Sequence, residues 1–154
     1  MLDKLDAIDI RILQILHDNA RLTNKEIGEQ LFKSASTIND RIRRMQEKGY
    51  IKKYVAVLNH KMIDRGLVAF THVQLRDHTK EVINYFETEI IKLPEVLECY
   101  HMSGQYDFIL RVAVKDLDAY HQFLMNHLFE TVPLVSMQST FVMREAKAEL
   151  PFPI

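Results

Sequence analysis

Two short stretches carry side chains whose types and spacing could do chemistry. The first is Ser34-Ala-Ser-Thr-Ile-Asn-Asp-Arg-Ile-Arg-Arg-Met-Gln-Glu-Lys-Gly49. Ala35, Ile38, Ile42 and Met45 recur at spacings of three and four, one apolar stripe on a helix. The opposite face would carry Ser36, Thr37, Asp40, Arg43, Arg44 and Glu47, with Arg41 and Lys48 on a flank. About fourteen helical residues make a rod of roughly 21 Å, and the DNA major groove admits such a rod. The alternative is a solvated helix whose arginines pair with Asp40 and Glu47 three or four residues away. The second stretch is Ser103-Gly-Gln-Tyr-Asp107. Free N–H groups in a turn receive an anion, and the Asp107 carboxylate receives a cation. Those two needs describe an amino acid zwitterion; a plain β-turn is the alternative.

Enzymatic chemistry finds little support. None of Gly28, Gly49, Gly66 and Gly104 belongs to a phosphate-cradling loop. The seven histidines show no H-x-H or H-x-x-x-H spacing, and one cysteine cannot build a thiolate cluster. His121 and His127 lie six apart on one helix, and His72 and His101 read as strand residues at a surface or interface. Cys99 falls in an apolar strand and reads as core; nothing resembles an activated Ser or Cys. No catalytic residue, metal site or cofactor is expected.

The net charge of −1 conceals an asymmetry. Residues 1–60 hold eleven Lys/Arg against eight Asp/Glu, and Lys33–Lys53 alone seven against two. The remainder is acidic. A basic patch on one small domain points to a polyanion, here double-stranded DNA. A single cysteine suits a reducing compartment. The N-terminus carries charges where a signal peptide needs its apolar run, and no uncharged apolar run approaches the ~20 residues of a membrane span. The expectation is a soluble, cytoplasmic protein with no membrane partner.

These stretches need elements to hold them. Asp6 can cap a helix with Ile8, Ile12, Leu13, Ile15 and Leu16 on one face. Thr23-Asn-Lys-Glu26 is a capping box opening a short helix with Ile27 and Leu31 inward. Gly28 inside that helix costs about 1 kcal/mol against Ala, so close packing against a neighbour is the reason for it. Ser34 then caps the basic helix, and Gly49 suits the left-handed residue past its end. Three helices with short joints read as a helix-turn-helix whose third helix is the reader. Lys52 and Lys53 lead into Tyr54–Leu58, an alternating strand that is a wing or a linker.

Beyond Gly66 the pattern is strand (Leu67–Arg76), helix (Glu81–Lys92, capped by Thr79), strand (Val96–Ser103), strand (Tyr106–Val114), helix (capped by Asp116), strand (Leu134–Arg144). Gly104-Gln105 alone would join the middle pair as a hairpin. The helices would turn Val82, Ile83, Phe86, Ile90 and Ile91, and Leu117, Tyr120, Phe123, Leu124 and Leu128, inward. The β-α-β-β-α-β order is that of a ferredoxin-like domain. On the last strand Val135, Met137, Phe141 and Met143 alternate with Ser136, Gln138, Thr140 and Arg144. Apolar residues on both faces of other strands, as Ile109 against Phe108 and Leu110, leave room for a second sheet packed on the open face. The fold class is therefore α+β: a winged-type helix-turn-helix domain at 1–50, a linker strand at 51–66, a ferredoxin-like domain at 67–147 and a tail at 148–154.

Several stretches in this order resemble one known family. Leu5-Asp6-x-x-Asp9-x-x-Ile12-Leu13, Ala20-Arg21, Ser34 through Arg41-Ile42-x-Arg44-Met45, and Gly49-Tyr50-Ile51 look like the N-terminal domain of the Lrp/AsnC, or feast/famine, regulators. Gly104-x-Tyr106-Asp107 and Pro133-x-Val135 look like that family's ligand-sensing domain. The resemblance runs from about residue 2 to residue 147. It implies a transcriptional regulator that dimerises through facing sheets, often assembles into octamers, and binds small effectors, usually amino acids, between dimers. It places Ser103, Gly104, Gln105, Tyr106 and Asp107 in the cleft, with Ser136, Gln138 and Thr140 of the last strand. Asp107 would take the ammonium and the backbone near Gly104 the carboxylate. Gln105 stands where many relatives have Asp, and Leu134 where many have Gly, which leaves the effector's identity open.

The DNA contacts expected are Ser34, Ser36, Thr37, Asp40, Arg41, Arg43, Arg44, Lys48, Lys52 and Lys53. Arg41, Arg43, Lys48, Lys52 and Lys53 would meet phosphates, while Ser36, Thr37, Asp40 and Arg44 lie toward the base edges. Asp40 would accept from cytosine N4 or only orient Arg43 or Arg44. Two rivals remain: an architectural DNA-organising protein without effector, and a metabolite-sensing subunit of an enzyme.

Overall fold

The computed structural model describes residues 5–146 and divides them into two compact units, one ending at Val57 and one running from Leu58 to Ala146.

In the first unit each helix begins where its cap residue stands. The Asp6 carboxylate accepts from the amides of Ile8 and Asp9 and starts α1 (Ala7–Asp18). Thr23 and Glu26 exchange hydrogen bonds at the start of α2 (Asn24–Leu31). Ser34 Oγ accepts from the Thr37 amide and starts α3 (Ala35–Glu47). At its end Gly49 takes φ +78°, and the amides of Gly49 and Tyr50 return to the carbonyls of Gln46 and Met45. That is the Schellman pattern, which a Cβ would strain. Ile12, Ile15 and Leu16 meet Ile27, Ile38, Ile42 and Met45 in one small core. The α2–α3 turn is tight: a Cβ on Gly28 would lie 2.6 Å from the Lys33 carbonyl oxygen. Close packing is indeed what the glycine is for.

The expected strand Tyr54–Leu58 does not form. Residues 52–59 are irregular, and a single 3-10 turn follows at His60–Ile63. Alternation makes a strand only where a neighbour takes its N–H and C=O groups, and none does among the described residues. Val55, Val57 and Leu58 stay exposed.

In the second unit β1 (Leu67–Leu75), α4 (Lys80–Ile90), β2 (Val96–His101), β3 (Phe108–Val114), α5 (Leu117–Phe123) and β4 (Leu134–Phe141) follow the expected order. The four strands form one antiparallel sheet in the order β2-β3-β1-β4. Both helices cover one face. Phe86, Ile90, Tyr120, Phe123 and Leu128 pack there on Val73, Leu75, Phe108, Leu110 and Val112. Tyr120 also donates or accepts at 2.6 Å with both Thr71 and Ser139 hydroxyls, a closed polar network inside that core.

Five local expectations need correction, the first being that β4 ends at Phe141, which leaves Met143 exposed beyond the strand and not beside Phe141 on the covered face. The β2–β3 connection is Met102–Asp107, not Gly104-Gln105 alone, because the last register pair is His101 with Phe108 and the Met102 amide closes the loop on the Asp107 carbonyl. Ile91 and Leu117 point outward, since each sits at a helix terminus where the chain has already turned. Thr79 stands at the start of α4 without capping it; its own amide donates to Asp77 instead. Val135 is exposed, because a register shift at Gln74/Leu75 breaks the alternation at the entry to β4, and Ser139 joins Met137 and Phe141 on the covered face. The tail at 148–154 lies outside the described residues.

Candidate nucleic-acid interface and ligand site

On the first unit, α3 presents a polar face on a buried stripe. Ser34, Ser36, Thr37, Asp40 and Arg43 are exposed, as are Lys48, Lys52 and Lys53 beyond it. The Ser34 hydroxyl lies 2.9 Å from that of Ser36 and 2.8 Å from that of Thr37. Arg43 stands 3.7 Å from Asp40 and 3.8 Å from Glu47, surface pairs worth about 0–1 kcal/mol each. A phosphate can take Arg43 from them. Asp40 thus faces Arg43, not Arg44.

Arg41 is committed elsewhere. Its guanidinium lies 2.7 Å from both Asp6 and Asp9 and its side chain is only 23% exposed. A phosphate expected at Arg41 would have to share it with the two carboxylates of α1. Asp6 and then Asp9 push the Arg41 pKa up, while the Asp9 amide and then Arg41 hold the Asp6 carboxyl below its ordinary range. Asp9 also takes Arg44 Nη2 at 2.7 Å, with the Arg44 side chain half-exposed. Asp9 is therefore the residue that sequence reasoning passed over. Its side chain is 2% exposed and anchors both arginines of α3. A signal existed: Asp9 precedes Ile12 by three and Leu16 by seven, which puts a carboxylate in the apolar stripe of α1. Between α2 and α3, Phe32 is held at φ +54° and is 92% exposed, a conformation a β-carbon disfavours.

On the second unit, the loop after β2 gathers part of the expected ligand site. Gly104 takes φ +137°, and Ser103, Gly104 and Gln105 are exposed. Among the described residues their amides donate to no backbone carbonyl. Tyr106 donates its hydroxyl to Gln138 Oε1 at 2.9 Å and packs its ring on His72 at 5.3 Å. Ser136 donates to Gln74 on the neighbouring strand. Thr140 pairs in register with Phe70, farther along the sheet, and is not drawn to the loop. Asp107 accepts from the Leu75 amide at 2.7 Å and from His78 Nε2 at 3.0 Å and 3.1 Å. His78 was not foreseen, and no spacing in the sequence marks it. Cys99 is half-buried beneath α4; burial first and the Glu87 charge second push its thiol up to about 11, which fits a core residue and not a nucleophile. No group of three His, Cys, Asp or Glu among the described residues could hold a metal ion. No helix among them is long and apolar enough to cross a membrane.

Known proteins share both units. Residues 5–52 match a family model for winged helix-turn-helix DNA-binding, and residues 68–152 match one for the Lrp/AsnC ligand binding domain. The chain is 34% identical over 141 residues to the Bkd operon transcriptional regulator of Pseudomonas aeruginosa, with 92% of each chain covered. It is 32% identical over 143 residues to the leucine-responsive regulatory protein of Escherichia coli, covering 93% of this chain and 87% of that one. A transcriptional regulator from Neisseria meningitidis, solved as a complex with L-Met, superposes with TM-score 0.91 at 33% identity over 97% of both chains. A helix-turn-helix with a polar reader face, a four-stranded antiparallel sheet covered by helices, and these matches across nearly the full length lead to one assignment: the chain belongs to the Lrp/AsnC family of transcriptional regulators, with a DNA-binding and a ligand-binding domain.

Proposed function

We propose that this chain regulates transcription by binding double-stranded DNA sequence-specifically and responds to an amino acid held in its second unit. At the DNA, Arg43, Lys48, Lys52 and Lys53 meet phosphates, with Ser34 at the reader's N-terminus. Ser36, Thr37, Asp40 and Arg44 approach base edges. At the effector, amides near Gly104 take the carboxylate, Asp107 takes the ammonium, and Tyr106, Gln138 and Ser136 line the wall. Thr140, farther along β4, would meet the ligand only from a neighbouring copy.

One observation supports the effector reading above the others: the amides of Ser103–Gln105, which donate to no backbone carbonyl among the described residues, stand two to four residues from a partly buried carboxylate on a single loop. The relative solved with L-Met and the leucine-responsive relative make an amino acid the class to test. The uncovered sheet face carries Phe70, Tyr100 and Ile109 beside Arg111 and His72, a mixed surface suited to a second copy. We infer a homodimer through that face, higher assembly into an octamer, and a cytoplasmic location beside the chromosome.

The experiment is selection of duplexes from a random pool by the full chain, then footprinting with and without each of the twenty amino acids. Sedimentation of the same samples reads assembly. A footprint that one amino acid shifts, with a change in mass, is the expected result. A footprint indifferent to all twenty would reduce the chain to a DNA-organising protein without effector.

A further inference from the structure

His78 donates to the carboxylate that the amino acid reading assigns to a ligand's ammonium. Asp107 has a side chain only 17% exposed. Its Oδ2 receives the Leu75 amide at 2.7 Å, a main-chain bond at the end of β1 where the β4 register shifts. The second donor on the carboxylate is His78 Nε2, which straddles it 3.0 Å from Oδ1 and 3.1 Å from Oδ2. A carboxylate only accepts, so Nε2 carries the proton and donates. A primary ammonium needs the same lone pairs at the same distance.

The two partners of Asp107 differ in how readily they leave. The Leu75 amide is fixed by the sheet. His78 belongs to the connection between β1 and α4, its side chain is 56% exposed, and its ring has no other polar partner among the described residues. Leaving Asp107 costs the imidazole little, because water takes its N–H. We propose that His78 is a resident occupant of the Asp107 carboxylate, and that an effector binds by displacing its imidazole. This rests on the amino acid reading above. It makes His78 a determinant of effector affinity: a ligand must bind Asp107 better than the protein's own side chain does, since it shifts an equilibrium only by binding its two states unequally.

The test uses the full-length chain and calorimetric titration with L-methionine and L-leucine first, then the remaining amino acids. His78→Ala should bind the responding amino acid about one-and-a-half- to fivefold tighter, the range for loss of one exposed competing contact. His78→Gln, which keeps a donor, should fall between it and the native chain. Asp107→Asn retains an acceptor for the Leu75 amide and should lose binding while remaining folded. Equal affinity in native and His78→Ala chains overturns the displacement and leaves the effector reading standing. Weaker binding by His78→Ala makes His78 a ligand contact and also overturns it. If no amino acid binds any of the four proteins, the effector reading itself falls and this inference with it.

Discussion

Asp9→Ala should destabilise the helix-turn-helix unit by about 2–3 kcal/mol. Removing one member of a buried ion pair costs about 3–5 kcal/mol, because the partner's charge is left uncompensated. Here Asp9 serves Arg41 and Arg44, each at 2.7 Å, and accepts the Asp6 amide at 3.3 Å. Two facts reduce the cost. Arg41 keeps Asp6 at 2.7 Å, and Arg44 is exposed enough to rehydrate. The estimate therefore sits at or below the lower end of that range. Urea unfolding of the full chain, followed by exchange of α1 and α3 amides, reads this unit separately from the sheet. Asp9→Asn preserves shape and one acceptor without the charge and should fall between. A loss below about 1 kcal/mol for Asp9→Ala would refute the view that this carboxylate fastens α3 to α1. Acid provides a companion test. The Asp9 amide and Arg41 hold the Asp6 carboxyl below its unfolded value, so the unfolded chain binds that proton first as pH falls. The contribution is complete above the unfolded pKa of about 3.9 and is lost through the lower folded value. Asp6→Asn should flatten the acid limb of the first unit's stability and leave neutral pH less stable than native.

Three further outcomes follow from single contacts. Gly28→Ala gains about 1 kcal/mol of helix propensity, but its Cβ meets the Lys33 carbonyl at 2.6 Å; a net loss of about 1–3 kcal/mol is expected, and a raised melting temperature would show that the α2–α3 turn can relax. Tyr120→Phe leaves the buried Thr71 hydroxyl without the partner it has at 2.6 Å, for a loss of about 1–3 kcal/mol in thermal unfolding of the second unit. Arg43→Ala breaks only the exposed pairs to Asp40 and Glu47, so stability should move by about 0.5 kcal/mol or less; the log–log salt slope of DNA binding should fall by about 0.9, and an unchanged slope removes Arg43 from the interface.

What the sequence determined by itself is what local physics fixes. Helix starts at Asp6, Thr23 and Ser34 depend on side chains two or three residues from the amides they serve. The stripe Ile38, Ile42 and Met45 follows from helical period alone, and Gly28 and Gly49 announce a close approach and a left-handed end. The strand and helix order of the second unit was legible for the same reason, since each element carries its own periodicity.

The tertiary structure decided everything that depends on a partner far along the chain. Helical spacing puts Arg41 on a flank of the basic helix and names no partner for it. It faces Asp6 and Asp9, 35 and 32 residues earlier, and no spacing rule reaches that far. The β2–β3 loop lengthened because register, set by His101 beside Phe108, ends the ladder before the glycine turn. Val135 left the core where the register shifts opposite Gln74 and Leu75, and Tyr54–Leu58 formed no strand for want of a neighbour. His78 reached Asp107 across 29 residues, closing on a carboxylate that the sequence presents as open. Periodicity and capping act within a turn or two of chain, whereas charge pairing and strand register are settled only once packing brings distant segments within hydrogen-bond reach.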